Sequence, residues 1–165
     1  MTTVIPTVTG VSASSAPARR PATVPVELLP HLRRARDHLD REYRSPLDLT
    51  QVAAVAGVSK FHFVRAFAAT YGQTPMRYLT RRRIERAQDL LRAANLTVTE
   101  ICMAVGYASL GSFSARFTEL VGETPTAYRN RWAALGGPHV PGCYLFMSGA
   151  LDPAATGRPG PAGDR

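Results

Sequence analysis

Two stretches carry the side chains best suited to specific contact with another molecule. Residues 59–65 read SKFHFVR and residues 109–116 read SLGSFSAR. With Phe63, Ala66 and Phe67 turned inwards, the first stretch leaves Ser59, Lys60, Phe61, His62, Val64 and Arg65 available. Arg65 offers a planar fork of donors that matches two adjacent acceptors, such as O6 and N7 of guanine, and such a pair discriminates by ~1–3 kcal/mol. Phe61 offers an apolar face suited to a thymine methyl; packed on a neighbouring helix it would be a structural staple instead. His62 is a phosphate neighbour or a plain surface residue. The second stretch offers Ser109, Leu110, Gly111, Ser112, Ser114, Ala115 and Arg116. Its hydroxyls and its single, displaced guanidinium suit phosphate bonds and van der Waals contact better than base-edge readout.

Bond-making chemistry has no comparable set of residues. The four His stand apart at 31, 38, 62 and 139, and His62 has no second ligand at helical spacing. No Ser/His/Asp set, carboxylate pair or Gly-rich phosphate loop stands out, so no catalytic residue, metal or cofactor is expected.

The two stretches sit in an internal repeat. After Ser59 come Phe63, Phe67, Gly72, Thr74, Pro75 and Tyr78; after Ser109, at the same offsets, come Phe113, Phe117, Gly122, Thr124, Pro125 and Tyr128. Upstream, Asp48, Leu49, Val52, Ala56 and Gly57 correspond to Thr97, Val98, Ile101, Val105 and Gly106, with one extra residue in the second turn. Asp48 with Gln51, and Thr97 with Glu100, make capping boxes. They predict short helices over about 49–56 and 98–105 that end at Gly57 and Gly106. Ser59 and Ser109 cap the longer helices that follow. Thr74-Pro75 and Thr124-Pro125 each give a cap followed by Pro at the first helical position. The first of these opens a long helix, Pro75 to about Ala94, with Met76, Leu79, Ile84, Ala87, Leu90 and Leu91 on its apolar face. The second opens a short one, about 125–133, anchored by Tyr128 and Trp132. A first helix from Pro30 to about Tyr43 carries Leu32, Ala35, Leu39 and Tyr43 on one face. No strand is predicted inside 27–132. The fold class is all-α, about seven helices in two helix-turn-helix units (about 48–71 and 97–121) joined by the long helix at 75–94.

Length and charge frame this unit. Of 165 residues, 1–26 are rich in Pro, Ser, Thr and Ala, and 135–165 in Gly and Pro. Both ends are expected to be mostly disordered, apart from the apolar run Cys143–Met147. The formal charge is +8, and Arg supplies all the basic residues but Lys60. Arg pairs with phosphate in a fork geometry that Lys lacks, so a polyanionic partner and a solvated Arg-rich surface are both open. No stretch approaches the ~20 apolar residues of a membrane span, no secretory signal is visible, and Cys102 and Cys143 make no disulfide framework. A reducing cytoplasm is expected.

The stretches PLDLTQVAAVAGVSKFHFVRAFAATYGQTPMRYLTRRRIERAQDLL and LTVTEICMAVGYASLGSFSARFTELVGETPTAYR resemble the DNA-binding domain of the AraC/XylS family of bacterial transcription regulators. The resemblance implies a seven-helix module over 27–134 that binds double-stranded promoter DNA, works with RNA polymerase and associates with the nucleoid. It also implies a base-reading role for Arg65, an apolar contact for Phe61, and a second reader poorer than usual, since Leu110, Gly111, Ser114 and Ala115 stand where Gln, Ser or Arg are common. With so short an N-terminal segment, the chain looks like a stand-alone member without a sensor domain, and no small-molecule effector is evident. Arg81, Arg82 and Arg86 on the connecting helix either align it along phosphates or are simply solvated. Two other functions stay open: a low-specificity DNA-binding architectural protein, and an interaction module acting through the tail.

Overall fold

The computed structural model describes residues 24–136 and 140–141; the expectations for residues 1–23, and for Cys143 and the run that follows it, lie outside these. A single 3-10 turn, Val26–Leu28, leads into seven helices: α1 (Leu29–Arg41), α2 (Leu49–Val55), α3 (Lys60–Tyr71), α4 (Pro75–Ala93), α5 (Val98–Ala104), α6 (Leu110–Val121) and α7 (Pro125–Ala133). The fold is the all-α arrangement expected from the repeat.

Local chemistry explains where the helices begin. Asp48 accepts from Thr50 N–H while Gln51 reaches back to the Asp48 amide. Thr97 and Glu100 do the same in the second unit: the Glu100 carboxylate accepts from the Thr97 amide and hydroxyl, each at 2.7 Å. Those bonds hold Glu100 below the usual carboxylate range. Ser59, Thr74, Ser109 and Thr124 each accept from the backbone N–H three residues on, satisfying donors that the helix start leaves free.

Packing then repeats itself in space. The α1 stripe Leu32, Ala35 and Leu39 is buried against α2, α3 and α4. Tyr43 is buried too, though it lies beyond the end of α1 rather than in its last turn. In the first unit Phe63 meets Phe67, and Phe67 meets Tyr78 edge-on at 5.8 Å. In the second, Phe113 meets Phe117, and Phe117 meets Tyr128 edge-on at 5.5 Å. Each recognition-type helix is thus pinned by its own aromatic pair to the Tyr of the helix that follows. Such contacts add to the area term of burying the rings. Both sets belong to one continuous core.

The connecting helix departs from expectation in two places. Met76, placed by its spacing on the apolar face, is 39% exposed, because the first turn of α4 lies at the edge of the core. The helix also stops at Ala93, and Ala94–Asn95 form a two-residue strand (β1) paired in parallel with Val140–Pro141 (β2). So the region expected to lack strands contains one. A two-residue strand shows no alternation, and its partner lies some 45 residues on, so nothing local announces it.

Two side chains tie α1 to α4. Tyr78 donates to both oxygens of Asp40, at 2.9 and 3.0 Å, and burial together with Asp40 pushes its hydroxyl up to about 12. Arg82 lies 3.3 Å from the same carboxylate.

Candidate nucleic-acid interface

The first recognition-type helix, α3, buries Phe63, Ala66 and Phe67 and exposes Ser59, Lys60, Phe61, His62 and Arg65; Val64 is half-buried at the edge. Phe61 is 78% exposed, which rules out its packing as a staple on a neighbouring helix. The Lys60 ammonium lies 5.8 Å from its ring centroid. Among the described residues no carboxylate stands within ion-pair distance of Lys60 or Arg65. This face therefore offers two cations without a close ion-pair partner among the described residues, and an exposed aromatic ring.

The matching face of α6 is different in kind. Leu110, Gly111, Ser112, Ala115 and Arg116 are exposed, and Ser114 is half-buried. Ser109 is occupied as cap: its Oγ accepts from Ser112 N–H at 3.2 Å and donates to Ser112 Oγ. Arg116 donates to Glu119 at 2.5 Å. The one cation on this face is thus held by a carboxylate one turn on. Across a cleft of about 340 Å³ from it, the first turns of α4 present Met76, Arg77 and Thr80. Arg77, not singled out from the sequence, is exposed and has no carboxylate partner among the described residues.

The connecting helix distributes its arginines unequally. Arg81 pairs with Glu85, Arg82 with Asp40 and Glu85, and Arg86 with Asp89. All three candidates for phosphate contact thus have acidic partners within the protein. Arg83, which sequence reasoning passed over, turns inwards: its Nε donates to the Tyr43 carbonyl at 2.6 Å and its Nη2 to the Ser45 carbonyl at 2.8 Å. Burial lowers its pKa. A signal was there: Leu79, Arg83, Ala87 and Leu91 follow at intervals of four, and a charge inside an apolar row needs a buried partner.

Cys102 is buried with its Sγ towards the Tyr107 carbonyl, and burial raises its thiol pKa. Among the described residues no three His, Cys, Asp or Glu side chains converge on a metal-sized site, and no single helix is long and apolar enough to cross a membrane.

Two short-helix, turn, capped-helix units sharing one rod-like helix define a double helix-turn-helix protein. Comparison with known proteins agrees. Residues 52–131 match the helix-turn-helix domain family. The MmsAB operon regulatory protein of Pseudomonas aeruginosa is 38% identical over 96 residues, which make up 58% of this chain and 30% of that protein. Among solved structures, the C-terminal domain of AraT, a response regulator from Geobacillus stearothermophilus, is 33% identical with a TM-score of 0.60, covering 63% of this chain and 87% of that one. The DNA-binding domain of AdpA, a global transcriptional factor solved in complex with a target DNA, is 29% identical with a TM-score of 0.57, covering 65% and 93%. The chain belongs to the AraC family of transcription regulators, which is not an enzyme class. It spans about a third of the length of the curated relatives it matches.

Proposed function

We propose that this protein is a sequence-specific regulator of transcription whose monomer sets α3 and α6 into successive major-groove segments of promoter DNA. The observation that carries this reading is the duplicated anchoring of the two helices, α3 on α4 and α6 on α7. Phe67 on Tyr78 and Phe117 on Tyr128 give both the same seat, at ring separations of 5.8 and 5.5 Å. The 19 residues of α4 span about 28 Å at ~1.5 Å per residue. Major-groove segments on one side of B-DNA recur every ~34 Å, so the rod is of the right order to separate two readers on one chain. That a neighbour of the same fold, the AdpA domain, was solved on its target DNA supports duplex DNA as the ligand.

The two faces divide the work. Lys60, Phe61 and Arg65 supply most of the base discrimination, with Ser59, His62 and Val64 beside them. On α6, Leu110, Gly111 and Ala115 fit against the groove, while Ser109, Ser112 and Arg116 serve phosphates and groove shape. Arg77, unpaired and next to α6, strengthens the phosphate contacts there. Residues 27–134 form the binding unit; RNA polymerase is the second partner, and the position of the site relative to the promoter decides activation or repression.

Selection of bound duplexes from a random pool, followed by footprinting of the selected site, tests this reading. Expected are two protected major-groove segments for one protomer and a ratio of specific to non-specific affinity above ~10³. A single protected segment would refute the two-groove arrangement. A ratio near one with a steep salt dependence would instead indicate a DNA-coating protein.

A further inference from the structure

A helix of fixed length sets how far apart two readers stand, but not how they are rotated about it. Both units pack on α4 in one continuous core, but apolar contact is not directional, and polar contacts add the direction. Among the described residues, Arg83 makes contact with both halves. Its two bonds run to the carbonyls of Tyr43 and Ser45, just past the end of α1 in the first half. Its guanidinium also lies 5.6 Å from the ring centroid of Tyr107, which stands in the turn before α6 in the second half. Tyr107 in turn meets Phe113 of α6 at 5.5 Å. A continuous path therefore runs from the α1–α2 loop, through Arg83 and Tyr107, to the second reading helix.

The backbones close over this point. Gly106, at φ +85°, lies so near Arg44 that a Cβ built on it would fall 2.5 Å from the Arg44 carbonyl oxygen. Both the left-handed conformation and the contact require glycine here. The one residue by which the second turn exceeds the first belongs to the same place: Tyr107-Ala108 stand between Gly106 and Ser109, where Val58 alone stands between Gly57 and Ser59.

We propose that Arg83 is the positioning residue that sets the mutual orientation of α3 and α6, and with it the spacing between half-sites that this protein prefers; this rests on the two-groove reading above. The residue type fits the task. A guanidinium donates to two fixed carbonyls in its own plane while presenting a face to an aromatic ring, and an ammonium cannot do both. Inserting one base pair between half-sites moves the second by about 3.4 Å and about 34° around the duplex. A rigid bracket resists that change; a loosened one follows it.

The test uses the full chain and a duplex selected by the wild type from a random pool, then lengthened or shortened by one and two base pairs between the protected segments. Wild type is expected to lose ~10- to 100-fold in affinity on a single insertion, as for a misplaced base contact. Arg83→Met, which keeps the length of the side chain but not its fork, is expected to shrink that penalty to within about threefold. Arg83→Lys should do the same despite retaining the charge. Tyr107→Leu loosens the bracket from the other side and leaves the Arg83–carbonyl bonds in place, so it decides the matter if thermal melting finds the Arg83 variants unfolded. Folded variants that keep the wild-type insertion penalty overturn the role of Arg83 and leave the two-groove reading intact. A wild type indifferent to spacing refutes that reading itself.

Discussion

Arg65 and Ala115 occupy the same place in the two reading helices, and the contrast between them is the sharpest chemical asymmetry in the protein. A free guanidinium can bond two acceptors on one guanine, whereas a methyl group offers only contact. Glu119 deepens the asymmetry by holding Arg116, the nearest cation on α6. Arg65→Ala is therefore expected to cost about 1–3 kcal/mol and to relax preference at one or two positions of the first half-site only. Ala115→Arg should create a new preference in the second half-site. Binding measured across a panel of single-base variants checks both. Equal discrimination in the two half-sites of the unaltered protein would remove the basis for this division.

Caps do for the helices what Arg65 does for the interface, since each converts an otherwise free donor into a fixed direction. The carboxylates in both capping boxes are held below their ordinary range, Glu100 by the Thr97 amide and hydroxyl and Asp48 mainly by Thr50. Lowered carboxylate values contribute stability that is complete above the unfolded-state pKa and lost as pH falls through the folded one. Replacing both groups with their amides, as Asp48→Asn with Glu100→Gln, keeps the hydrogen-bonding shape but removes the titration. The double variant should thus be less stable than wild type at pH 6–7, and the difference should shrink as pH falls below the ordinary carboxylate range and through the lowered folded-state values. Urea unfolding at several pH values measures it. A difference that stays constant with pH would mean that charge at the caps contributes nothing.

Taken as one body, the described residues form a continuous core with α3 and α6 each exposing one face, and beyond α7 they include a single two-residue pairing, β1–β2. The β1–β2 pairing joins two residues on each side, and each such bond contributes about 0.5–1.5 kcal/mol net. The core beneath it holds four fully buried Phe rings. Truncation after Leu135 should therefore leave affinity for a selected duplex within about threefold, a loss of less than ~1 kcal/mol, because the pairing it removes lies at the end of α4 and not on the exposed faces of α3 or α6. Titration of full-length and truncated protein against the same duplex decides it. A tenfold or greater loss would assign the tail a part in binding.

Much of this organisation was legible before any coordinates. Helix starts, the two Gly-ended short helices, the Phe and Tyr anchors and the outward side chains of α3 all rest on signals contained within a few residues: a cap and its partner three positions on, a period of 3.6, a Pro where a donor is spare. The two units also repeat these signals at matching offsets, so each reading checks the other. What folding alone decided concerns groups whose chemistry is identical and whose partners are distant in sequence. Arg82 and Arg83 are interchangeable as letters, yet one meets Asp40 of α1 while the other spans from the α1–α2 loop to the turn before α6. The Arg116–Glu119 pair, by contrast, is three residues apart on one helix and follows from the helical period alone. The β1 strand exists only because residues 140–141 return to it. Local energies act between neighbours along the chain and leave their mark in the sequence; where a charge finds its partner depends on which elements meet, and that is settled only when the core closes.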